Sequence, residues 1–366
     1  MFFFHLWSSP GLLIPPVEFT GRRIAHLAAE SSTDAARPRR LRVATASVAY
    51  SGLMKLQLIA PLLAALAAVP AAAQAPASIP TRLALDVVAI DRNGAPVTDL
   101  RPDEFEVWIS GYRVPVEDVA FVTPATSPRT IVLLLDNAAV GVDLAPRVKE
   151  AARALVKRMG DTDRIAVMPV HGVMTSSTGD RARLLQAIDG YRVQGLPFRI
   201  EDAGAHVLQV VTSLSRRMVE TPAPDSGQAP GRRKAIVAIG AAWLFDTPLP
   251  PPGVRSLHEE WLAAMRAMAA ANASLYVIDP VGLRPMSGYA HGGDSGFANE
   301  TGGYAFVNTN DIQGAAARIF DEAGTYYVLR MIDPPVQRTA DLREVKVRVL
   351  RKDVTVRARR GIPGKR

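Results

Sequence analysis

The chain has 366 residues, 48% of them hydrophobic, with 27 Gly and 28 Pro, which suffices for one large core or two modest ones. The absence of cysteine excludes disulfides, thiolate metal sites, cysteine nucleophiles and the lipid-bearing cysteine of a bacterial lipoprotein. The formal charge of +8 comes from 43 basic and 35 acidic residues, but seven basic and three acidic ones precede residue 76; beyond it 36 stand against 32, so nucleic-acid binding is not read from the charge.

Residues 54–75 have the layout of a secretory signal peptide. Lys55 supplies the positive start, and residues 56–69 form the apolar stretch, with Leu58, Ile59, Leu62, Leu63 and Leu66. Ala73-Gln74-Ala75 is a small-x-small cleavage site, so export to the periplasm or medium is expected, with cleavage near Ala75. Pro61 and Pro70 suit a buried core helix badly. Residues 1–53 show no sustained periodicity: Pro10, Pro15 and Pro16 interrupt the first apolar stretch, and 37–42 is basic. Two readings stand, a gene-model artefact with translation from Met54 or a disordered extension. No uninterrupted apolar run reaches the roughly 18 residues of a stable membrane span.

The segment 81–123 reads as strands. Leu83, Leu85, Val87 and Ala89 alternate with other residues, Asp91-Arg92-Asn93-Gly94 carries turn chemistry, and Phe105, Val107 and Ile109 alternate again. Gly111 marks a turn before Val114 and Val116. The rhythm then changes over 129–323. Residues 131–135 form an unbroken apolar run ending in Asp136, the pattern of a buried parallel strand. Further strands are predicted at 164–170, 235–239, 275–278 and 304–307. Helices are predicted at 144–159, 184–188, 205–214, 261–271 and 312–323. Alternating strands and helices predict an α/β domain with a mostly parallel, doubly wound, Rossmann-like sheet. The tail, 325–361, is β again: 326–331, then Val345, Val347 and Val349, then Val354, Val356 and Ala358. The two flanking β segments are expected to pair into one small β domain. Pro-rich stretches at 222–231 and 248–253 read as exposed loops.

Several stretches in this order resemble the bacterial VWFA-related family, best known from acidobacterial genomes. They are VTDL at 97–100, DEFEV at 103–107, RTIVLLLD at 129–136, ASLYVIDP at 273–280, ETGG at 300–303, YYVL at 326–329 and VTVRARRG at 354–361. The resemblance implies a von Willebrand factor type A-like fold and no settled activity. It also implies where a divalent ion would sit. The usual motif is Asp-x-Ser-x-Ser, completed by a Thr and an Asp from later loops, because hard cations want oxygen ligands. Asp136 holds the first place, but Ala138 and Val140 hold the Ser places, Ala241 lies where the later Asp would follow its strand, and the Thr place near 198–200 has no hydroxyl. The metal site is therefore expected to be degenerate, with no metal and no cofactor, and Asp136 is expected to cap a nearby helix. The alternative is an adhesion protein whose ion site is rebuilt at Asp136 with Asn137, Asp143 and Asp246.

His171 follows the strand at 164–170, where ligands bind in such sheets. It precedes Thr175, Ser176, Ser177, Thr178 and Asp180. This loop is a candidate ligand site, against the plainer reading of a polar turn with Thr178 or Asp180 capping the next helix. Gly293-Asp294-Ser295-Gly296 resembles the nucleophile segment of trypsin-like proteases, but it lies in an α/β pattern, and the nearby His291 is no evidence for a triad defined by geometry. A hydrolase using His171 or Asp294-Ser295 is the enzymatic alternative; a helix cap is the plainer reading. The tail places Lys346, Arg348, Arg357 and Arg359 on alternating positions, an expected docking face for an anionic envelope surface or, more plainly, a solvated face. The expected function is a non-enzymatic exported interaction module with a protein partner. The partner surface is expected to include Asp136, Asn137, His171, Thr175, Ser176, Thr178 and Asp246.

Overall fold

The computed structural model describes residues 82–195, 203–220, 232–241, 257–283, 296–334 and 342–364, all within one unit spanning 73–366. Several expectations fall outside the described residues: the leader at 54–75, the segment 1–53, the Thr place at 198–200, both Pro-rich stretches, Asp246, His291, Asp294 and Ser295.

The flanking segments form a sandwich of two antiparallel sheets. From the first segment come β1 (Arg82–Ile90), β2 (Phe105–Ile109), β3 (Tyr112–Val114) and β4 (Asp118–Val122). The α/β part then contributes β5 (Thr130–Leu135), β6 (Arg164–Pro169), β7 (Lys234–Ile239), β8 (Ala273–Ile278) and β9 (Tyr304–Phe306). The tail adds β10 (Tyr326–Ile332), β11 (Leu342–Val349), β12 (Thr355–Ala358) and β13 (Gly361–Pro363). One sandwich sheet runs β12-β1-β10-β4 and the other β13-β11-β2-β3, so each interleaves strands from both ends of the chain. Ser110 and Gly111, both at positive φ, turn β2 into β3. Leu85, Val87, Tyr327 and Leu329 from one sheet pack on Phe105, Val107, Ile109 and Val345 from the other.

The simple alternation expected for β1 is only half of what it does. Leu85 and Val87 face the sandwich core, while Val88 and Ile90 on the opposite face are also buried and pack with Tyr326. This strand is covered on both sides because its second face lies against the α/β part. Asp86 is buried on that second face and accepts a 2.7 Å hydrogen bond from Asn272 Nδ2, just before β8.

The α/β part is doubly wound. Its sheet runs β6-β5-β7-β8-β9 with every pairing parallel. Ile131, Leu133 and Leu135 of β5 face α1 (Ala145–Lys157), α2 (Arg181–Asp189) and α6 (Ile312–Gly324). Val132 and Leu134 face α3 (Ala203–Glu220) and α4 (His258–Ala270), and the short α5 (Phe297–Glu300) packs on that side through Phe297. Burial on both faces explains the unbroken apolar run at 131–135. The strand order reverses between β5 and β7, and the crevice outside their carboxyl ends is the place where such sheets bind ligands.

The basic tail does not form the docking face expected of it. Lys346 and Arg348 are exposed, with Lys346 lying over the Trp108 ring. Arg357 and Arg359 instead face the α/β part. Arg357 pairs with the buried Glu322 of α6 and lies 3.9 Å from the centroid of the Tyr304 ring. Arg359 is buried and donates to Asn272 Oδ1 at 2.9 Å; burial pushes its guanidinium down to about 10. Both cations are consumed by acids and amides that approach from distant elements, so the tail offers no four-residue cationic face.

Candidate functional site

Asp136 directly follows β5 at the reversal of strand order and is 1% exposed. Its carboxylate is already engaged. Oδ1 accepts from the backbone N–H of Ala138 at 3.0 Å and of Ala139 at 2.8 Å, and Oδ2 accepts from the N–H of Ala241 at 3.1 Å. The first two bonds hold the turn after β5, and the third ties that turn to the end of β7. Asp136 thus brackets the crevice and does not cap a helix, since Leu144 occupies the N-cap of α1. The approach is close: a Cβ at Gly240 would lie 2.2 Å from Asp136 Cβ and 2.7 Å from Oδ2, so only glycine fits there. Beneath it, the Tyr191 hydroxyl donates to the Asp136 carbonyl at 2.5 Å. Burial, with the Asp136 charge adding to it, raises the Tyr191 pKa and keeps that proton in place.

The positions at which the resemblance would place the Ser and Asp ligands of an ion carry Ala138, Val140 and Ala241. Ala138, Val140 and Ala241 are all buried, Val140 in the cluster with α1 and Ala241 in the cluster with α3 and α4. Asp143 is exposed, and its carboxylate folds back toward Gly141. Among the described residues, no group of three or more His, Asp or Glu side chains is placed to hold a metal ion.

Asn137 holds the neighbouring loop. Its Nδ2 donates to the His171 carbonyl at 2.9 Å, and its Oδ1 accepts from the His171 N–H at 2.8 Å. This two-way bond joins the ends of β5 and β6. The His171 ring stacks on His206 of α3, with centroids 4.5 Å apart and planes 17° from parallel. Burial, and then the neighbouring His171, push the His206 pKa down. The hydroxyl-rich loop is also largely structural. Thr175 Oγ1 accepts from the Val167 N–H at 2.9 Å, Thr178 Oγ1 accepts from the Asp180 N–H at 3.1 Å, and Asp180 caps α2 by accepting from Ala182 and Arg183. Ser176 is exposed.

Sequence reasoning missed the residues that project from these loops. Val142, Val173 and Leu283 are 75%, 87% and 64% exposed, and they sit on the loops after β5, β6 and β8. All three loops leave the carboxyl edge of the sheet. Each residue directly follows a glycine (Gly141, Gly172, Gly282), and this repeated Gly-apolar pair was the signal available in the sequence. The loops are held from beneath. Arg147 of α1 donates to the Val281 carbonyl at 3.3 Å and to Asn310 Oδ1 at 3.2 Å, and the Leu283 N–H donates to the same Asn310 oxygen at 3.3 Å. Gly282 has φ +80°, and a Cβ there would lie 2.2 Å from that oxygen.

No family model matches the chain, and no curated protein matches it. Solved structures similar to it include a von Willebrand factor type A protein from Catenulispora acidiphila, at 12% identity over 74% of this chain and 71% of that one, TM-score 0.36. The manganese-loaded TRAP protein of Plasmodium vivax is similar at 12% identity over 67% of this chain and 98% of that one, TM-score 0.33. The pilus adhesin SpaC of Lactobacillus rhamnosus GG in its open conformation is similar at 9% identity over 74% of this chain and 48% of that one, TM-score 0.33. At such identities a likeness concerns the fold alone. The α/β part is von Willebrand factor type A-like, a description that its own parallel sheet, flanking helices and strand order support.

Proposed function

We propose that this protein is an exported, non-enzymatic interaction module that holds a protein partner through the loops at the carboxyl edge of its parallel sheet, without a bridging metal ion. The observation that carries the reading is the contrast at that edge: the Asp136 carboxylate is spent on three backbone N–H groups, while Val142, Val173 and Leu283 stand exposed on three braced loops. Apolar side chains raised on fixed loops suit a partner that buries them, because the area removed from water stabilises the contact while little ordering is lost. Asp136 and Asn137 act in this reading as the frame of the surface, and His171 as the base of its second loop.

The export part rests on the leader-like pattern at 54–75 and is tested by sequencing the amino terminus of the protein from the periplasmic and medium fractions. Cleavage after Ala75 supports it; an uncleaved protein in the cytoplasm overturns it. The binding part is tested by cross-linking the native protein in its envelope fraction and recovering its partner with and without a chelator. The expected partner survives chelation and is lost when Val142, Val173 and Leu283 are all changed to Asp. Loss on chelation alone, or retention by the triple variant, refutes it.

A further inference from the structure

The edge of the parallel sheet beyond β6 presents a second surface, on the same β6–α2 connection as Val173 but running back along β6 away from it. The chain at 175–178 turns back along β6 and joins it antiparallel at one bridge. Thr178 and Ile165 exchange both backbone bonds, at 2.9 and 3.0 Å, and the Thr175 N–H donates to the Val167 carbonyl at 2.9 Å. Two residues of β6 separate these contacts, against three along the edge, so the edge carries one extra residue, as a bulge does. Ser176 and Ser177 are exposed, and their backbone groups have no backbone partner among the described residues. No described strand pairs with the outer side. Natural edges are usually blunted by Pro or Lys, and this one, Thr-Ser-Ser-Thr, has neither.

Beside this edge lies helix α2, and between them is a pocket of about 240 Å³. Its edge side includes Thr175, Ser176 and Thr178; its helix side includes Arg183, Leu184, Gln186 and Ala187. Leu184 is fully buried and forms an apolar base, and Arg183 is exposed at the rim. The volume suits one side chain, below the usual size of a small-molecule site. The charge around it is basic. Arg183 has no ion pair among the described residues. Arg181 donates to the Met159 carbonyl and Arg164 to the Asp163 carbonyl, so neither charge is neutralised by a carboxylate. Of the nearby acids, Asp180 is spent on the cap of α2 and Asp189 on Arg153.

We infer that the edge at 175–178 and helix α2 together form a peptide site, which takes a short extended segment of a partner by strand addition and seats one of its acidic side chains against Arg183. Main-chain bonds to Ser176 and Ser177 supply the affinity, and the pocket over Leu184 supplies the choice of side chain, the usual division of labour when a strand is added to an edge. The extra residue on the edge keeps the open stretch short and discourages continuous pairing with a second copy.

The test uses the full chain and three labelled, end-capped octapeptides, followed by fluorescence anisotropy. One alternates Val and Glu, one alternates Val and Lys, and the third is the Val/Glu peptide N-methylated at alternate residues to remove its strand hydrogen bonds. The Val/Glu peptide is expected to saturate, to bind about tenfold or more tightly than the Val/Lys peptide, and to lose binding on N-methylation. Arg183→Glu is expected to reverse the charge preference and Arg183→Gln to erase it; Leu283→Asp, on the carboxyl-edge loops, is expected to leave binding unchanged. Amide exchange at 175–178 is expected to slow when the peptide is bound. No saturation at millimolar peptide, equal binding of the N-methylated peptide, or indifference to Arg183→Glu overturns the inference, and none of these outcomes bears on the carboxyl-edge surface.

Discussion

Replacing Asp136 by Ala separates a structural bracket from a ligand site. The substitution removes the acceptor of three hydrogen bonds, from Ala138, Ala139 and Ala241, at a position 1% exposed. Each N–H left without a partner costs about 1–3 kcal/mol, and bonds to an ionised acceptor lie toward the upper end. Part of that loss is offset, because the folded chain no longer desolvates a carboxylate. The net expectation is a destabilisation of about 3–5 kcal/mol, which for a domain of this size lowers the melting temperature by roughly 6–15 °C. Asp136→Asn keeps one acceptor but turns an amide NH₂ toward a second donor, so it is expected to cost about 1–3 kcal/mol. The assay is thermal and urea unfolding of the mature-length protein in chelator-treated buffer. If Asp136→Ala melts within about 2 °C of the parent there, the bracket reading is refuted, since the change then falls in the range of an ordinary surface substitution.

The same contacts make further predictions. Gly240→Ala places a Cβ 2.2 Å from Asp136 Cβ and is expected to destabilise by about 1–3 kcal/mol in urea unfolding, as overpacking does. Arg359→Ala leaves Asn272 Oδ1 short of a donor and removes a cation that faces the buried Asp86, and is expected to cost about 3 kcal/mol or more, while Lys346→Ala and Arg348→Ala, on the exposed face, stay within about 0.5 kcal/mol; equal effects would contradict the assignment of faces. The folded pKa of His206 lies below 6.5, chiefly through burial and then through His171. Below pH 6.5 the unfolded chain takes up a proton that the folded chain refuses, so stability drops with pH until the folded value is reached. His206→Phe is expected to flatten that part of the stability profile, and an unchanged slope would contradict it.

Much of the α/β order could be read from the sequence because burial on both faces imposes an unbroken apolar run, and 131–135 carries one. Helices such as α1 declared themselves by spacing, though the start of α2 was set by Asp180, four residues before Leu184, the first apolar position of that helix's stripe. What could not be read depended on contacts from far along the chain. Alternation in the tail shows that two faces differ, but not which one meets Glu322 of α6, and so Arg357 was placed on the wrong face. Likewise the sequence shows that Ala138 and Val140 lack oxygens, while the use of the Asp136 carboxylate depends on Ala241, 105 residues later. β4 lies within the expected β segment 81–123 but carried no alternation of its own, because its residues are only partly buried at a sheet edge. The exposed Val142, Val173 and Leu283 carried a signal that periodicity does not score, since each lies in a loop after a glycine.

The central claim is that the crevice at the reversal of strand order is closed by the protein's own amides and works without an ion. Isothermal calorimetry of the chelator-treated protein with Mg²⁺, and separately with Mn²⁺, at millimolar concentration tests it directly, with a thermal melt of each sample alongside. The account predicts no saturable heat and no shift in melting temperature, because the Asp136 carboxylate accepts from the backbone N–H groups of Ala138, Ala139 and Ala241 and the positions Ala138, Val140 and Ala241 bring no side-chain oxygen. A saturable heat, with a rise in melting temperature that disappears in Asp136→Ala, would contradict it, since an ion bound only by the folded state must stabilise that state.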